Sequence, residues 1–293
     1  MPTPRSVPAP LLVLAAIVSV QVGAALAKTL FDNLGAAGVT LLRLGLAALV
    51  LLLVARPRVG RWSGGTWRAT ALLGVTMAAM NLAFYLSLRT VPLGVAVTVE
   101  FVGPLLLALV QPRRLLDLLW VVLAGAGVVL LGLDRSGPAE LSGLGLALLA
   151  GLFWAGYILA SARVGRELAG LDGLAVAVLI AAVLVVPFGA AGLGAIADRP
   201  ALLVAGLGVA LLSSVLSYGV ELTALRRLPT RVFGILMALE PAAAALSGWA
   251  LLREALGARE VVALLMVSVA SAGVTLGIRQ GRRDAGEPAL QPL

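Results

Sequence analysis

Apolar runs of about 20 residues, each closed by a short polar segment, recur along the whole 293-residue chain. That length is what a helix needs to cross ~30 Å of hydrocarbon. Ten such runs can be drawn, over residues 10–28, 36–55, 69–88, 93–111, 115–133, 143–162, 173–191, 201–222, 231–252 and 258–278. They are too long for membrane strands and lack the two-residue alternation of a barrel. The pattern therefore predicts an all-α membrane protein with ten transmembrane helices. The first run also fits a cleaved signal peptide, because Arg5 precedes it and Ala25-Leu26-Ala27 ends it. Its apolar stretch continues to Leu26, however, and an internal repeat requires it as the first helix, so retention is expected.

The repeat is centred on residues 81–104, a helical hairpin in outline. A shift of 137 positions carries Leu88-Arg89-x-Val91-Pro92 onto Leu225-Arg226-x-Leu228-Pro229, and Pro104 onto Pro241. The turn-rich Asp134-Arg135-Ser136-Gly137-Pro138 falls between the fifth and sixth runs. An odd number of spans per half makes the second half enter from the opposite side, which gives an inverted repeat. The expectation is two inverted five-helix repeats around a central cavity: residues 1–135, then 138–279, followed by a flexible cytoplasmic tail over 280–293.

The charges agree. With the N-terminus in the cytoplasm, the inner segments hold 15 basic residues: Arg5, Arg56, Arg58, Arg61, Arg68, Arg113, Arg114, Arg163, Arg166, Arg226, Arg227, Arg231, Arg279, Arg282 and Arg283. The outer segments hold six: Lys28, Arg89, Arg135, Arg199, Arg253 and Arg259. This is the positive-inside bias of an inner-membrane protein with both termini in the cytoplasm.

Polar side chains inside the spans are few and unevenly placed. Gln21 and Lys28 lie seven apart in the first run, and Asn81 and Tyr85 four apart in the third. Glu100 precedes Pro104 by one turn in the fourth. Trp154, Tyr157 and Ser161 share a face of the sixth, as do Ser214, Tyr218 and Glu221 in the eighth. Glu240 stands directly before Pro241 in the ninth, and Arg43 lies within the second. Under the repeat these stripes fall on equivalent helices of the two halves, as a shared cavity requires. A charged side chain at a helix centre costs on the order of 3 kcal/mol, so Glu100, Glu221 and Glu240 should face protein or water. Plainer roles remain open. Each glutamate can be protonated and bonded to a neighbour, Arg43 can pair with a carboxylate, Trp154 and Tyr157 can anchor at the interface, and Pro104 and Pro241 can simply kink their helices.

Composition narrows the chemistry. The chain is 61% hydrophobic and 12% charged, with mean hydropathy +1.07, against about 25% charged in a soluble domain. It has no cysteine and no histidine, so a thiolate metal site and the usual near-neutral proton carrier are both excluded. No metal or cofactor is expected. The net charge of +8 is spread in ones, twos and threes between apolar runs, which reads as topology and not as a nucleic-acid surface. No phosphate-binding loop is present, and Lys28 is the single lysine, which argues against ATP hydrolysis. An intramembrane enzyme would need a nucleophile–base set that the spans do not hold.

The chain resembles the threonine/homoserine exporters of the EamA-type drug/metabolite transporter superfamily. The matching segments are Gln21-Val22-Gly23-Ala24-Ala25-Leu26-Ala27-Lys28, Leu42-Arg43-Leu44, Phe84-Tyr85-Leu86-Ser87 through Thr90-Val91-Pro92-Leu93-Gly94, and Glu100-Phe101-x-Gly103-Pro104. In the second half they are Trp154-Ala155-x-Tyr157-Ile158-Leu159, then Leu228-Pro229-Thr230-Arg231 through Met237-x-x-Glu240-Pro241. The resemblance implies an inner-membrane exporter of threonine/homoserine-like amino acids and leaves its substrate spectrum open to a broad specificity that includes aromatic amino acids. A drug or small-metabolite efflux carrier of the same superfamily is the alternative.

For a zwitterionic substrate, Glu100 and Glu240 are the candidate ammonium partners, with cation–π support from Trp154, Tyr157 or Tyr218. Gln21, Asn81, Tyr85 or Arg43 would donate to its carboxylate. Lys28, Arg43, Pro104, Ser214, Glu221 and Pro241 are candidate supporting or gating residues. Two energy couplings fit: a proton carried on a buried glutamate, and facilitated diffusion.

Overall fold

A computed structural model describes residues 9–109, 115–132, 138–168, 170–217 and 235–284. Every regular element among them is helical. The helices are α1 (Ala9–Thr29), α2 (Phe31–Ala55), α3 (Gly64–Ser87), α4 (Leu93–Glu100), α5 (Val102–Leu109), α6 (Leu115–Gly132), α7 (Pro138–Glu167) and α8 (Asp172–Gly189). They continue with α9 (Ala195–Asp198), α10 (Ala201–Ala210), α11 (Glu240–Leu252) and α12 (Ala258–Asp284). Among the described residues, six helical segments are long and apolar enough to cross a membrane: Pro10–Thr29, Phe31–Ala55, Gly64–Ser87, Glu140–Glu167, Asp172–Asp198 and Ile235–Leu252. Leu93–Leu107, Leu118–Leu131 and Ala201–Val215 are shorter apolar helices, and the run expected at 258–278 is helical within α12.

Most departures from the expected spans have local causes. Gly35 has φ +68° and ψ 161°, a region open essentially to glycine alone. It divides a first turn of α2 from the straight helix, so regular winding starts at Ala36, as the apolar pattern implies. The fourth run is not one helix but two, α4 and α5, with a turn at Phe101. Pro104 has no N–H to give the carbonyl of Glu100, and Leu105 reaches the carbonyl of Phe101 only at 3.4 Å. Pro241 stands in the first turn of α11, where the missing N–H has no cost. α3 begins before the hydrophobic run because the hydroxyl of Ser63 accepts from the N–H of Thr66 at 3.1 Å, a cap that extends the helix into polar sequence. α12 winds on to Asp284, past the boundary expected at 279. Residues 285–293 of the expected tail and the break at 134–137 lie outside the described residues.

The packing joins the two halves. α2 lies on α8, α3 on α7 and α8, α6 on α12, α1 on α11, and α4 on both α7 and α11. One buried cluster takes Ala25, Leu34, Tyr85, Leu93 and Val99 from the first half and Val209, Ala244 and Val267 from the second. On the outside, Val122, Val129, Phe188, Val204, Leu246 and Trp249 are each 63–72% exposed. An apolar surface of that kind is suited to hydrocarbon and not to water.

Candidate functional site

Two polar residues of α3, Asn81 and Tyr85, meet around Arg43. α2 carries this side chain into the interior, where it is 9% exposed. Its guanidinium donates to the hydroxyl of Tyr85 at 3.2 Å and to Oδ1 of Asn81. It also lies over the Tyr85 ring, 5.1 Å from the centroid. Asn81 is held from behind, its Nδ2 donating to the carbonyl of Met77 at 2.8 Å. The four-residue spacing of Asn81 and Tyr85 thus puts both on the face of α3 that Arg43 reaches. Pairing with a carboxylate was one role open to Arg43; among the described residues its hydrogen bonds go to an amide and a phenol. Nε of Arg43 is buried with no partner among the described residues.

Glu100 sits at the end of α4, immediately before the turn at Phe101. Two glycines hold α7 against this point. A methyl group on Gly151 would lie 3.1 Å from the carbonyl carbon of Glu100 and closer still to its oxygen. A methyl group on Gly103 would strike the Gly151 backbone, with its Cα only 2.8 Å away. Gly103 stood in the sequence only as part of the Glu100-Phe101-x-Gly103-Pro104 segment, and Gly151 did not stand out, since small residues are common in every span. The same crossing brings Trp154 onto Phe101, rings edge to face with centroids 4.9 Å apart. Trp154 is thereby a partly buried side chain packed on the first cluster. Tyr157, one turn further along α7, packs on the second buried cluster, around Met77 and Val178.

Of the remaining candidates, Gln21 is 3% exposed and its Oε1 lacks a partner among the described residues. Glu240 is 7% exposed at the start of α11, and Pro241 beside it is buried. Pro104 lies in α5 and is partly buried. Ser214 is buried in a π-helical turn, Leu211–Val215, that follows α10. That turn frees the carbonyl of Leu212, which accepts from Ser19 at 2.8 Å and from Ser217 at 2.7 Å. The stripe expected on the eighth run assumed unbroken α geometry, and a π turn shifts its register. Tyr218 and Glu221 lie outside the described residues.

Lys28 belongs to a different place. Its Nζ bonds to Oε1 of Glu254 at 2.7 Å and to the carbonyl of Val91 at 3.0 Å. It also lines a cavity of about 490 Å³ with Phe31, Asp32, Leu34, Leu88 and Arg89. Phe31 stacks edge-on against Tyr85, centroids 5.9 Å apart, so this cavity ends one aromatic ring away from the Arg43 cluster.

Apolar helices wrapped around a buried ionic and amide cluster make a membrane carrier, and the comparisons with known proteins agree. Residues 141–276 match the model of the EamA-like transporter family. The chain is 46% identical over 273 residues to the threonine/homoserine exporter RhtA of Salmonella typhimurium strain LT2. It is 45% identical over 272 residues to the threonine/homoserine exporter RhtA of Escherichia coli strain K12. Each match covers 92% of this chain and 92% of the relative. A crystal structure of a 22% identical chain shares the fold, with a TM-score of 0.57 over 93% of this chain and 98% of that one. The protein belongs to the EamA-like transporter family.

Proposed function

We propose that the protein exports amino acids, threonine and homoserine among them, across the inner membrane by alternating access. The observation that carries this reading is 46% identity along 92% of the chain to a threonine/homoserine exporter.

The architecture proposed is ten helices in two inverted halves, residues 1–135 and 138–279, with both termini in the cytoplasm. The packing supports it. Exchanging α1 with α7, α2 with α8, α3 with α10, α4–α5 with α11 and α6 with α12 carries many of the larger helix contacts onto one another. The pair α1–α11 becomes α7–α4, α2–α10 becomes α8–α3, and α3–α7 becomes α10–α1. The pairs α2–α8, α4–α11 and α6–α12 map onto themselves, as pairs lying on a pseudo-two-fold axis would. The turn at Phe101 likewise falls, 137 positions on, upon Ala238 in the turn that precedes α11.

In this reading the substrate lies between Glu100 and Glu240, which attract its ammonium group, and the Arg43–Asn81–Tyr85 cluster, which receives its carboxylate. The buried Nε of Arg43 and Oε1 of Gln21 support this, because buried polar atoms without partners are what a bound polar ligand satisfies. Trp154, Tyr157 and Tyr218 would shape the pocket, and Ser214, Glu221, Pro104 and Pro241 would support it.

The test is an export screen from vesicles loaded with homoserine and with each of the twenty amino acids. Threonine and homoserine should leave at rates that depend on the protein. Export of dyes or drugs with no amino acid movement would replace this reading by a general efflux carrier. The same vesicles, run with and without a pH gradient, distinguish a proton carried on a glutamate from facilitated diffusion.

A further inference from the structure

Glu254 lies in the short connection after α11, where Arg253 takes a left-handed φ of 56° and the Glu254 N–H returns to the carbonyl of Gly248 at 3.1 Å. The bend aims its carboxylate across the end of the molecule. Oε1 accepts from Lys28 Nζ at 2.7 Å, and Oε2 accepts from the N–H of Leu93, the first residue of α4, at 2.8 Å. Lys28 also holds the carbonyl of Val91. One carboxylate thus ties together the end of α1, the α3–α4 turn and the end of α11.

The first two of these segments belong to the first half and the third to the second, so the tie crosses the seam between halves. The side chains are 22% and 13% exposed, and a pair so shielded is screened far less than a surface pair. Beside it lies the 490 Å³ cavity that ends at Phe31, against Tyr85. The 137-residue offset carries Glu254 onto Asp117, so each half holds an acid at this point of its sequence.

We propose that Glu254 is the latch of the outer gate: bound to Lys28 and to the start of α4 it shuts the outer end of the substrate path, and it releases both each time substrate leaves. This rests on the alternating-access reading above. A latch differs from a permanent staple in having to open, and that difference can be measured.

The chain has no cysteine, so a full-length Lys28→Cys/Glu254→Cys variant presents two thiols only. Reconstituted in liposomes, it is treated with a short bis-methanethiosulfonate reagent, and threonine counterflow is followed before and after reduction. Cross-linking should cut counterflow at least tenfold, with recovery on reduction, while each single variant keeps its rate after the same treatment. Unchanged counterflow in the cross-linked protein would overturn the latch. So would two thiols that each react with a monofunctional reagent yet never cross-link.

A second readout needs no substrate. Leu34 is 2% exposed and lines the cavity. Glu254→Gln should raise the rate at which an impermeant maleimide labels Leu34→Cys several-fold, and an unchanged rate counts against the latch. If the wild-type protein moves neither threonine nor homoserine, the amino acid reading fails, and this labelling rate alone decides the latch.

Discussion

Replacing Arg43 should separate what its charge does from what its shape does. The guanidinium makes two hydrogen bonds, to Tyr85 at 3.2 Å and to Asn81, and stacks 5.1 Å from the Tyr85 ring centroid. Arg43→Met leaves the Tyr85 hydroxyl and Asn81 Oδ1 buried without that donor. Each orphaned group costs about 1–3 kcal/mol, and the lost cation–π contact costs about 2 kcal/mol more where water is excluded. These terms overlap, so the net loss should be about 3–5 kcal/mol. Arg43→Lys restores the charge, but a single ammonium cannot present the planar fork that meets a phenol and an amide together. It should recover about half of the loss. Unfolding in mixed detergent micelles measures the stability, and threonine counterflow measures the function. The expected order in both is wild type, then Arg43→Lys, then Arg43→Met. A methionine variant as stable as the wild type would refute the structural reasoning. A lysine variant with wild-type counterflow would show that charge alone suffices.

Gly151→Ala should destabilise the protein by about 1–3 kcal/mol, the usual cost of overpacking, because its methyl group meets the Glu100 backbone at 3.1–3.2 Å. Gly145→Ala on the same helix meets nothing within 4 Å and should leave the thermal midpoint unchanged, so equal shifts in the two variants would contradict the close crossing. Gly35→Ala also has open space around it, yet its φ of +68° should cost about 1–3 kcal/mol through the backbone alone. Wild-type stability in that variant would mean that the first turn of α2 is free to rewind.

The sequence specified the lipid-facing shell more completely than the interior. Among the described residues hydropathy located the six long spans but not the ends of their helices. α7 runs from Pro138 to Glu167, beyond the run at 143–162, because helical winding continues through Glu140, Arg163 and Arg166 after the apolar surface stops. Pro104 signalled a bend in the fourth span; the turn falls earlier, at Phe101, since the carbonyl left without a donor lies four residues upstream. Asn81 and Tyr85 could be placed on one face by their spacing, but Arg43 is 38 and 42 residues away from them, and no local pattern pairs residues at that distance. Glu254 was hidden for the same reason. Its partners lie 161 and 226 residues away, and in sequence it looks like one more loop charge. The π turn at Leu211–Val215 and the Gly103–Gly151 crossing leave no periodic signal, because both depend on what the neighbouring helix brings.

The central claim is that acidic groups from both halves act on one substrate. It is tested most directly by threonine counterflow through purified Glu100→Gln and Glu240→Gln variants, with thermal unfolding to show that each is folded. Glutamine keeps the shape and removes the charge, so the loss should equal one charge-assisted hydrogen bond to the ammonium group, about 1.5–3 kcal/mol, or about 10- to 100-fold in rate at low threonine. The account predicts that loss in both variants, together with a weaker threonine-induced rise in thermal midpoint. Wild-type counterflow through both folded variants would contradict it.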